Sequence, residues 1–331
     1  MAILVTGAAG FIGFHVARAL LARGETVVGL DNFNSYYAVS LKRDRIAAIV
    51  SAGGKFSCIE GDFGAEGALT SLLAGHDIER IVHLGAQAGV RYSIEAPFAY
   101  ARSNLIGHLE VLEYARTHKI AHLVYASSSS VYGGNTKLPF AVDDRVEHPV
   151  SLYAATKRAD ELMSESYAHL YRIAATGLRF FTVYGPWGRP DMAPWLFTDA
   201  VLAGRPLRLF NHGNVRRDFT FIDDIVAGVI GALDHVPADD GAGKPGGSKA
   251  PHAIYNLGNE RSEPVTALVA AIEAACGRKA IVELVPMQPG DVEGTHADIV
   301  PARRDFGFTP RVGLDEGIGQ FVAWFRDYDQ R

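Results

Sequence analysis

Residues 1–31 carry the pattern that most restricts how this chain can fold. An apolar run at 1–6 leads directly into Gly7-Ala8-Ala9-Gly10-Phe11-Ile12-Gly13, and an apolar helical pattern then continues to Gly24. A second apolar run ends in Asp31 and Asn32. Strand, glycine-rich turn, helix, strand and acid in this order are typical of a dinucleotide-binding unit. The glycine spacing lets a pyrophosphate approach the backbone at the N-terminus of the helix.

The acid at the end of the second strand indicates which dinucleotide this unit would hold. The Asp31 carboxylate can accept hydrogen bonds from both hydroxyls of an adenosine ribose, and it would repel a 2′-phosphate. The sequence therefore predicts NAD, and not NADP, as the cofactor.

Strand and helix patterns alternate regularly through the first half of the chain. Further strands are predicted at 56–60, 81–84, 122–126 and 175–181, and helices are predicted between them. This alternation predicts an α/β fold with a doubly wound, parallel, Rossmann-type sheet. The alternation lapses near residue 180. We therefore predict an NAD-binding domain at 1–180 and a smaller mixed α/β substrate-binding region at 181–331, with some chain crossing back to the sheet.

Three segments carry more specific expectations about local structure. The run 100–117 is predicted to be one long amphipathic helix, and 216–224 is predicted to lead into a helix that ends at Leu233. Residues 237–251 contain almost no large apolar side chain and are predicted to form a mobile loop.

Tyr153 and Lys157 are the strongest candidates for catalytic residues. They lie four residues apart in a helical pattern capped by Ser151, so both side chains project from one face. A phenol is a poor base at neutral pH, because its reference pKa is ~10. A lysine ammonium one turn away stabilises the phenolate. Such a pair can take a proton from a sugar hydroxyl while a hydride leaves the same carbon.

A run of four serines, Ser127 to Ser130, follows the fifth predicted strand. Serines at a strand end can be ordinary turn residues. A hydroxyl at this edge can also hydrogen-bond the oxygen that Tyr153 deprotonates.

Asp62 and a cluster of four arginines each have two possible interpretations. Asp62, after the third strand, either receives the adenine amino group or is a turn residue. Arg205, Arg208, Arg216 and Arg217 form either a solvated positive surface or a clamp on a ligand diphosphate.

Composition excludes several classes of protein. The net charge of -5 argues against nucleic-acid binding and against a polybasic membrane role. The apolar runs are too short to cross a bilayer, and the N-terminus lacks the pattern of a signal peptide. Two distant cysteines, Cys58 and Cys276, provide no disulfide framework and suit a reducing cytoplasm. The histidines show no metal-ligand spacing, so no metal is predicted.

Beyond these patterns, the chain resembles the extended short-chain dehydrogenase/reductases, and within them the UDP-glucuronate 4-epimerases. The likeness covers nearly the whole chain. Besides the glycine motif, Tyr153 and Lys157, it is carried by the stretches 87–93 (QAGVRYS), 149–157 (PVSLYAATK), 181–192 (FTVYGPWGRPDM) and 287–292 (MQPGDV).

The resemblance implies cytoplasmic reversible C4 epimerisation of UDP-glucuronate to UDP-galacturonate through a 4-keto intermediate. It implies Tyr153, Lys157 and Ser128 as catalytic residues, and a homodimer formed through the helices at 100–117 and 153–171. The predicted cofactor site comprises Gly7, Gly10, Phe11, Ile12, Gly13, Asp31, Asn32, Ser35, Asp62, Phe63, Leu84, Ala86, Gln87, Asn104, Ala126, Tyr153, Lys157 and Tyr184. The predicted UDP-sugar site comprises Arg91, Ser93, Ser128, Ser129, Ser130, Thr182, Arg189, Arg217 and Asp291, with Arg217 on the diphosphate.

The substrate's carboxylate poses a chemical problem for such an enzyme. A 4-keto uronic acid is a β-keto acid, and it loses CO2 when its carboxylate stands perpendicular to the carbonyl plane. We expect Arg189, together with Thr182 and the serines, to hold the carboxylate in another orientation.

Other activities remain open to different degrees. Related 4,6-dehydratases and UDP-glucuronate decarboxylases typically carry a glutamate before Val-Tyr-Gly, where this chain has Ser130. An epimerase of UDP-glucose, or of N-acetylhexosamine sugars, is harder to exclude. A non-catalytic NAD-binding sensor would be expected to lack Tyr153 or Lys157.

Overall fold

A parallel sheet of seven strands organises the described part of the chain, which in this computed structural model comprises residues 1–288 and 290–329. The strands of the described residues are, in chain order, β1 (Ala2–Thr6), β2 (Thr26–Asp31), β3 (Lys55–Glu60), β4 (Ile78–His83), β5 (His122–Ser128), β6 (Ala175–Phe180), β7 (Thr182–Tyr184), β8 (Pro206–Leu209), β9 (Arg216–Phe221), β10 (His252–Leu257), β11 (Ser262–Pro264) and β12 (Ile281–Leu284). The sheet has the order β10-β6-β5-β4-β1-β2-β3, and all neighbouring pairs are parallel. The predicted α/β class and Rossmann-type sheet are confirmed.

Helices cover both faces of this sheet. The α-helices of the described residues are, in chain order, α1 (Phe11–Ala22), α2 (Val39–Ser51), α3 (Ala68–Leu72), α4 (Tyr92–Glu95), α5 (Pro97–Tyr100), α6 (Gly107–Thr117), α7 (Leu152–Tyr171), α8 (Ala193–Ala203), α9 (Ile222–Asp234), α10 (Val265–Cys276), α11 (Val300–Phe306) and α12 (Leu314–Asp329). No helix of the described residues is both long enough and apolar enough to cross a bilayer.

The central strands are buried on both sides because their successive residues belong to two different cores. Leu4 and Leu123 lie in the core on one face, whereas their neighbours Val5 and Val124 lie in the core on the other. Side chains alternate between the faces of a strand, so a strand covered by helices on both faces must be apolar at every position. This explains why continuous apolar runs, and not alternating ones, predicted these strands.

The second half of the chain completes the central sheet and also forms two small sheets. Strand β10 pairs with β6, so chain from beyond residue 181 crosses back as expected. Strands β11, β9 and β7 form one small sheet, and β12 pairs with β8 in the other. The division into domains at 180/181 stays a prediction from the sequence.

Two local expectations differ from the structure. The segment before helix α9 is the strand β9, whose aromatic side chains, Phe219 and Phe221, are buried in the core. The run 100–117 is not one regular helix, because a wider π-helical turn, Ala101–Ile106, separates α5 from α6. This turn carries Asn104, whose side-chain amide bonds both to the loop after β4 and to helix α7. Such turns bend a helix at the point where a side chain makes tertiary bonds.

The loop at 237–251, expected to be mobile, is anchored at its end. Ser248 donates a hydrogen bond to Glu165 on α7, and the backbone amide of Gly246 donates one to Asp143. Ser248 and Ala250 are buried. The predicted loop at 287–292 includes Pro289, which lies outside the described residues.

A buried ion pair joins helix α7 to strand β6 beneath the serine run. Arg179 donates two hydrogen bonds to Glu161, at 2.8 and 3.0 Å, and Ser127 donates a third at 2.7 Å. The two charged side chains are at most 2% exposed. Burial acts to raise the pKa of Glu161, but Arg179 and the hydrogen bonds outweigh burial and hold this pKa below its ordinary value.

We expect Glu161→Gln to lower the free energy of unfolding by about 3–5 kcal/mol, because Arg179 would keep a buried charge without its partner. Urea denaturation at neutral pH measures this change. The matched control is Glu283→Gln, which breaks the exposed pair between Glu283 and Arg208. It should change stability by less than about 1 kcal/mol. Equal effects of the two variants would contradict the prediction.

Candidate active site

A cleft runs along the carboxyl ends of the parallel strands, beginning at the turn after β1. Gly7 has a φ of +68°, and a Cβ atom at Gly13 would lie 2.1 Å from the carbonyl oxygen of Gly7. A side chain at Gly13 would therefore push helix α1 away from the strand. The three glycines bring the N-terminus of a helix of 12 residues to the edge of the cleft, where backbone amides can bind a phosphate.

Asp31 lies at the end of β2 with both carboxylate oxygens held by the backbone. Oδ2 accepts a hydrogen bond from the amide of Ala9 at 3.1 Å, and Oδ1 accepts one from the amide of Phe33 at 2.9 Å. A carboxylate has about four acceptor positions, so each oxygen can still accept a ribose hydroxyl. Burial raises the pKa of Asp31, against the opposing effect of these amides and of Lys42.

The cations nearest to Asp31 are already bound by neutral groups of the protein. Lys42 donates to the backbone and side-chain oxygens of Asn34, at 2.7 and 2.8 Å. Arg45 is fully buried and donates to Tyr37 and to the carbonyls of Ala9, Trp187 and Gly188. These bonds fix the loop between β2 and α2 against the segment that follows β7.

Asp62 makes the turn contact considered for it and also lines the cleft. Its Oδ1 accepts a hydrogen bond from the amide of Gly64 at 2.7 Å, which is turn chemistry. Its Oδ2 accepts one from Asn32 at 3.2 Å, and both side chains line the cleft.

Helix α7, which carries Tyr153 and Lys157, begins as expected. The hydroxyl of Ser151 accepts a hydrogen bond from the amide of Ala154 at 3.1 Å, which caps the helix. Tyr153 and Lys157 both line the cleft. The Lys157 ammonium donates to the carbonyl of Ala126 at 2.9 Å and to the Asp160 carboxylate at 3.0 Å. The protein therefore positions the ammonium at the end of β5.

The serine run turns at the end of β5, opposite helix α7. Ser127 is bound to Glu161, and the hydroxyl of Ser128 accepts a hydrogen bond from the amide of Ser130 at 3.1 Å. All four serines line the cleft together with Thr182. Several hydroxyls thus face the space in front of Tyr153, where they can bind oxygen atoms of a sugar.

Arg189 lies at the mouth of the cleft and is already paired with a carboxylate. Its Nε and Nη2 atoms donate to Asp191 at 3.0 and 2.6 Å. Tyr36, on the loop after β2, donates to the same carboxylate at 3.0 Å. Burial raises the pKa of Tyr36 to about 12, and Asp191 acts in the same direction. This Arg189–Asp191–Tyr36 bridge connects the two sides of the cleft mouth.

The four clustered arginines lie in different surroundings. Arg205 and Arg208 are exposed and paired with Asp199 and Glu283, as a solvated surface would be. Arg216 is exposed and bonds to the carbonyl of Ser262. Arg217 is close enough to Arg91 and Asp291 to feel their charges. Burial lowers its pKa, and Asp291 opposes that shift.

Arg91 and Asp291 form an exposed ion pair at 3.3 Å beside the cleft. The guanidinium of Arg91 also lies 4.6 Å from the ring centre of Phe210. This group adjoins the cleft through Gly290, where a Cβ atom would lie 3.0 Å from the Val90 side chain of the cleft lining.

Most predicted site residues come together in the cleft, but some do not. Those in the lining are Gly7, Gly10, Phe11, Ile12, Gly13, Asp31, Asn32, Asp62, Phe63, Leu84, Ala86, Gln87, Ala126, Ser128, Ser129, Ser130, Tyr153, Lys157, Thr182 and Arg189. Outside it lie Ser35, Arg91, Ser93, Asn104, Tyr184, Arg217 and Asp291.

Three of the residues outside the lining are committed to other contacts. Asn104 bonds to both backbone groups of Gln87 and to Thr156, so it joins the loop after β4 to helix α7. Tyr184 is buried in the core and donates to the carbonyl of Gly313. Ser93 is buried and donates to the carbonyl of Val90. These placements favour structural roles for the three side chains.

Sequence reasoning missed several residues of the site. Tyr36 and Lys42 line the cleft from the loop after Asp31 and from helix α2, and Met192 and Phe180 line its opposite side. The signal available for Tyr36 was its position in an aromatic loop directly after the acid. No described group of three or more histidine, cysteine, aspartate or glutamate side chains could hold a metal ion.

Comparison with known proteins agrees with this geometry. The NAD dependent epimerase/dehydratase family matches residues 3–258. UDP-glucuronate 4-epimerase 2 of Arabidopsis thaliana is 47% identical over 333 residues, which cover 99% of this chain and 76% of that protein. Protein CapI of Staphylococcus aureus is 46% identical over 99% of both chains. The crystal structure of the Bacillus cereus UDP-glucuronic acid 4-epimerase with UDP-glucuronic acid and NAD is 32% identical. It superposes with a TM-score of 0.89 over 99% of this chain and 100% of that chain.

Proposed function

The chain belongs to the NAD dependent epimerase/dehydratase family, and we propose that it interconverts UDP-glucuronate and UDP-galacturonate by inverting carbon 4 of the sugar. The observation that carries this proposal is the convergence of Tyr153, Lys157 and the serine run in one cleft with the glycine turn and Asp31. The relatives named as UDP-glucuronate 4-epimerases support the choice of substrate.

The residues of the cleft fit NAD. The glycine turn provides backbone amides for the pyrophosphate, and Asp31 has free acceptor positions for the ribose hydroxyls. Bound NAD supplies the acceptor, and then the donor, of the hydride at carbon 4, so the sugar passes through a 4-keto form.

Tyr153 is the group that moves the proton. As a phenolate it accepts the proton of the 4-hydroxyl, and it returns this proton when the new hydroxyl forms. Lys157 supplies the positive charge that stabilises the phenolate, and the serine hydroxyls hold the sugar oxygen in either orientation. No net proton or electron is consumed, which is the balance that an isomerisation requires.

At the position where related enzymes carry an acid for elimination, this chain has a serine. Ser130 stands directly before Val131-Tyr132-Gly133, where the related dehydratases and decarboxylases typically carry a glutamate. A neutral-sugar epimerase is the second candidate, and the cationic Arg189 at the cleft mouth favours a uronic acid over it.

Arg189 would control the carboxylate while remaining paired with Asp191. Two of its nitrogen atoms already donate to Asp191, and a guanidinium has five N–H donors in a fixed plane. The remaining N–H donors can bind the substrate's carboxylate. The ion pair with Asp191 fixes the plane of the guanidinium, and so fixes the direction of these donors. Thr182 and the serines would complete the set of hydrogen bonds that prevents loss of CO2.

We also propose a homodimer built on helices α6 and α7. Exposed apolar side chains lie on these two helices and on the π-helical turn before them, namely Ile106, Leu109, Leu162 and Leu170. The two helices are joined by hydrogen bonds from Tyr167 to Glu113 and between His108 and Ser164. An exposed apolar surface on rigid elements is typical of a subunit interface. A cytoplasmic location remains a prediction from the sequence.

Purified protein incubated with UDP-glucuronate should form UDP-galacturonate, with UDP-xylose and free 4-keto products absent from the chromatogram. Tyr153→Phe should lower kcat by roughly 10²–10⁴-fold, because it removes the proton acceptor. Tyr184→Phe is the matched control, because it removes a tyrosine hydroxyl that lies outside the cleft. Its kcat should stay within a few fold of the parent value. UDP-xylose as the main product, or turnover of UDP-glucose alone, would contradict the proposal.

Arg189→Ala should reduce turnover of UDP-glucuronate and release UDP-linked 4-keto pentose, because the carboxylate would be free to rotate. Product analysis by mass spectrometry measures both effects. UDP binding should stay close to that of the parent protein, since the diphosphate is assigned to Arg217. The thermal unfolding temperature should fall, because Asp191 loses its partner. Undiminished turnover with no loss of CO2 would refute this role of Arg189.

The parent protein should behave as a dimer at micromolar concentration in light scattering coupled to size-exclusion chromatography. Leu162→Glu should produce monomers, because two copies of the new charge would be buried against apolar side chains. Leu196→Glu alters a similarly exposed leucine on α8 and should leave the dimer intact. A monomeric parent protein would rule out this interface.

A further inference from the structure

The ammonium of Lys157 has a counter-charge inside the protein. Two of its three N–H donors are used by Ala126 and Asp160, which leaves one for the cleft. The Lys157 and Asp160 side chains are 3% and 1% exposed. Because water screens so buried a pair very little, the Asp160 carboxylate offsets much of the charge that Lys157 presents to Tyr153.

The second oxygen of the Asp160 carboxylate lacks any donor. Oδ1 is buried and receives no hydrogen bond from the described part of the chain. His108, on the neighbouring helix α6, lies against the backbone of Asp160 and not against this oxygen. A carboxylate oxygen without donors is poorly stabilised as an anion, so this site favours uptake of a proton.

The histidines packed around Asp160 are uncharged, and so is Tyr125 of β5, because burial raises its pKa well above the ordinary value. From α6, His108 shares a hydrogen bond with Ser164, and burial holds its pKa well below the ordinary value. From β4, His83 bonds to Thr6, and burial lowers its pKa to about 3.

The remaining charged neighbours are paired with each other. On α7, the adjacent Glu161 forms ion pairs with the buried Arg179 of β6 and with Arg158, whose side chain is 31% exposed. Water screens the excess positive charge of Arg158, so Lys157 and Asp160 are the main charges beneath Tyr153.

We propose that Asp160 is a positioning residue that acts through Lys157. Its carboxylate offsets part of the Lys157 charge that stabilises the Tyr153 phenolate, and when Asp160 takes up a proton from solvent, the full Lys157 charge is restored. The proposal rests on the proposed function, which assigns the proton transfer to Tyr153. Burial raises the pKa of Asp160 to about 6, against the opposing effect of Lys157. The switch therefore operates just below neutral pH.

The expected consequence is a broad acid limb in the pH profile. As pH falls towards 6, Asp160 becomes neutral, and the full charge of Lys157 then keeps Tyr153 ionised to lower pH. Two groups that interact in this way titrate as a coupled pair and not as independent sites. Activity should therefore decline over a wider pH range than one ionisation would give.

Asp160→Asn tests this inference, because it removes the charge and keeps the shape. The acid limb of the pH profile of kcat should move to lower pH by roughly one unit. Its width should narrow to that of a single ionisation. Asp199→Asn removes the same charge from an exposed pair on α8 and should leave the profile unchanged. An Asp160→Asn profile that coincides with the parent profile would overturn the proposal.

A second readout does not depend on turnover. The near-ultraviolet phenolate absorption of each protein, minus that of its Tyr153→Phe version, reports ionisation of Tyr153 among the 13 tyrosines. The Asp160→Asn protein should form this phenolate at lower pH than the parent, and an unchanged or higher pH would overturn the proposal. If Asp160→Asn does not fold, Asp160→Ser gives the same comparison. If the parent protein does not form UDP-galacturonate, the proposed function itself is contradicted, independently of the role of Asp160.

Discussion

The close approach of Gly13 to the carbonyl oxygen of Gly7 is the contact on which the site depends. It allows helix α1 to start directly at the end of β1, in the middle of the central sheet. The ends of β2, β4 and β5 then surround the start of one helix. Asp31, the loop after β4 and the serine run reach a common cleft for this reason, although they come from distant parts of the sequence.

Charge is buried around this cleft in a consistent manner. The fully buried Arg45 donates hydrogen bonds to backbone carbonyls, and Asp31 accepts hydrogen bonds from backbone amides. The fixed dipoles of these backbone groups therefore stabilise each charge. Glu161 and Arg179 neutralise each other beneath the serines. Such arrangements avoid the large penalty of an unpaired buried charge and give the surrounding loops one geometry. Nε of Arg45 and the second oxygen of Asp160 depart from this rule, and the Asp160 carboxylate lies beside Lys157.

Local rules explain which parts of the fold and the site could be predicted. The glycine turn, Asp31 and the Tyr153–Lys157 pair each follow from spacing within one or two elements, and continuous apolar runs revealed the buried strands. Tyr184 and Asn104 could not be placed in this way, since their partners lie elsewhere in the chain.

The arginine cluster illustrates the same limit. Arg216 and Arg217 are adjacent in strand β9, so their side chains point to opposite sides, one into solvent and the other towards Asp291. Nearness in sequence gave no information on this, because the strand itself had not been foreseen.

Strand β10 has a consequence for how the protein is made. It covers the edge of β6, yet more than seventy residues of β7, α8, β8, β9, α9 and their loops separate the two strands in the chain. While the ribosome is still adding those residues, β6 presents an open row of amides and carbonyls that another nascent chain could join. The edge of β6 in the newly synthesised first half therefore stays unpaired until β10 has been made and pairs with it.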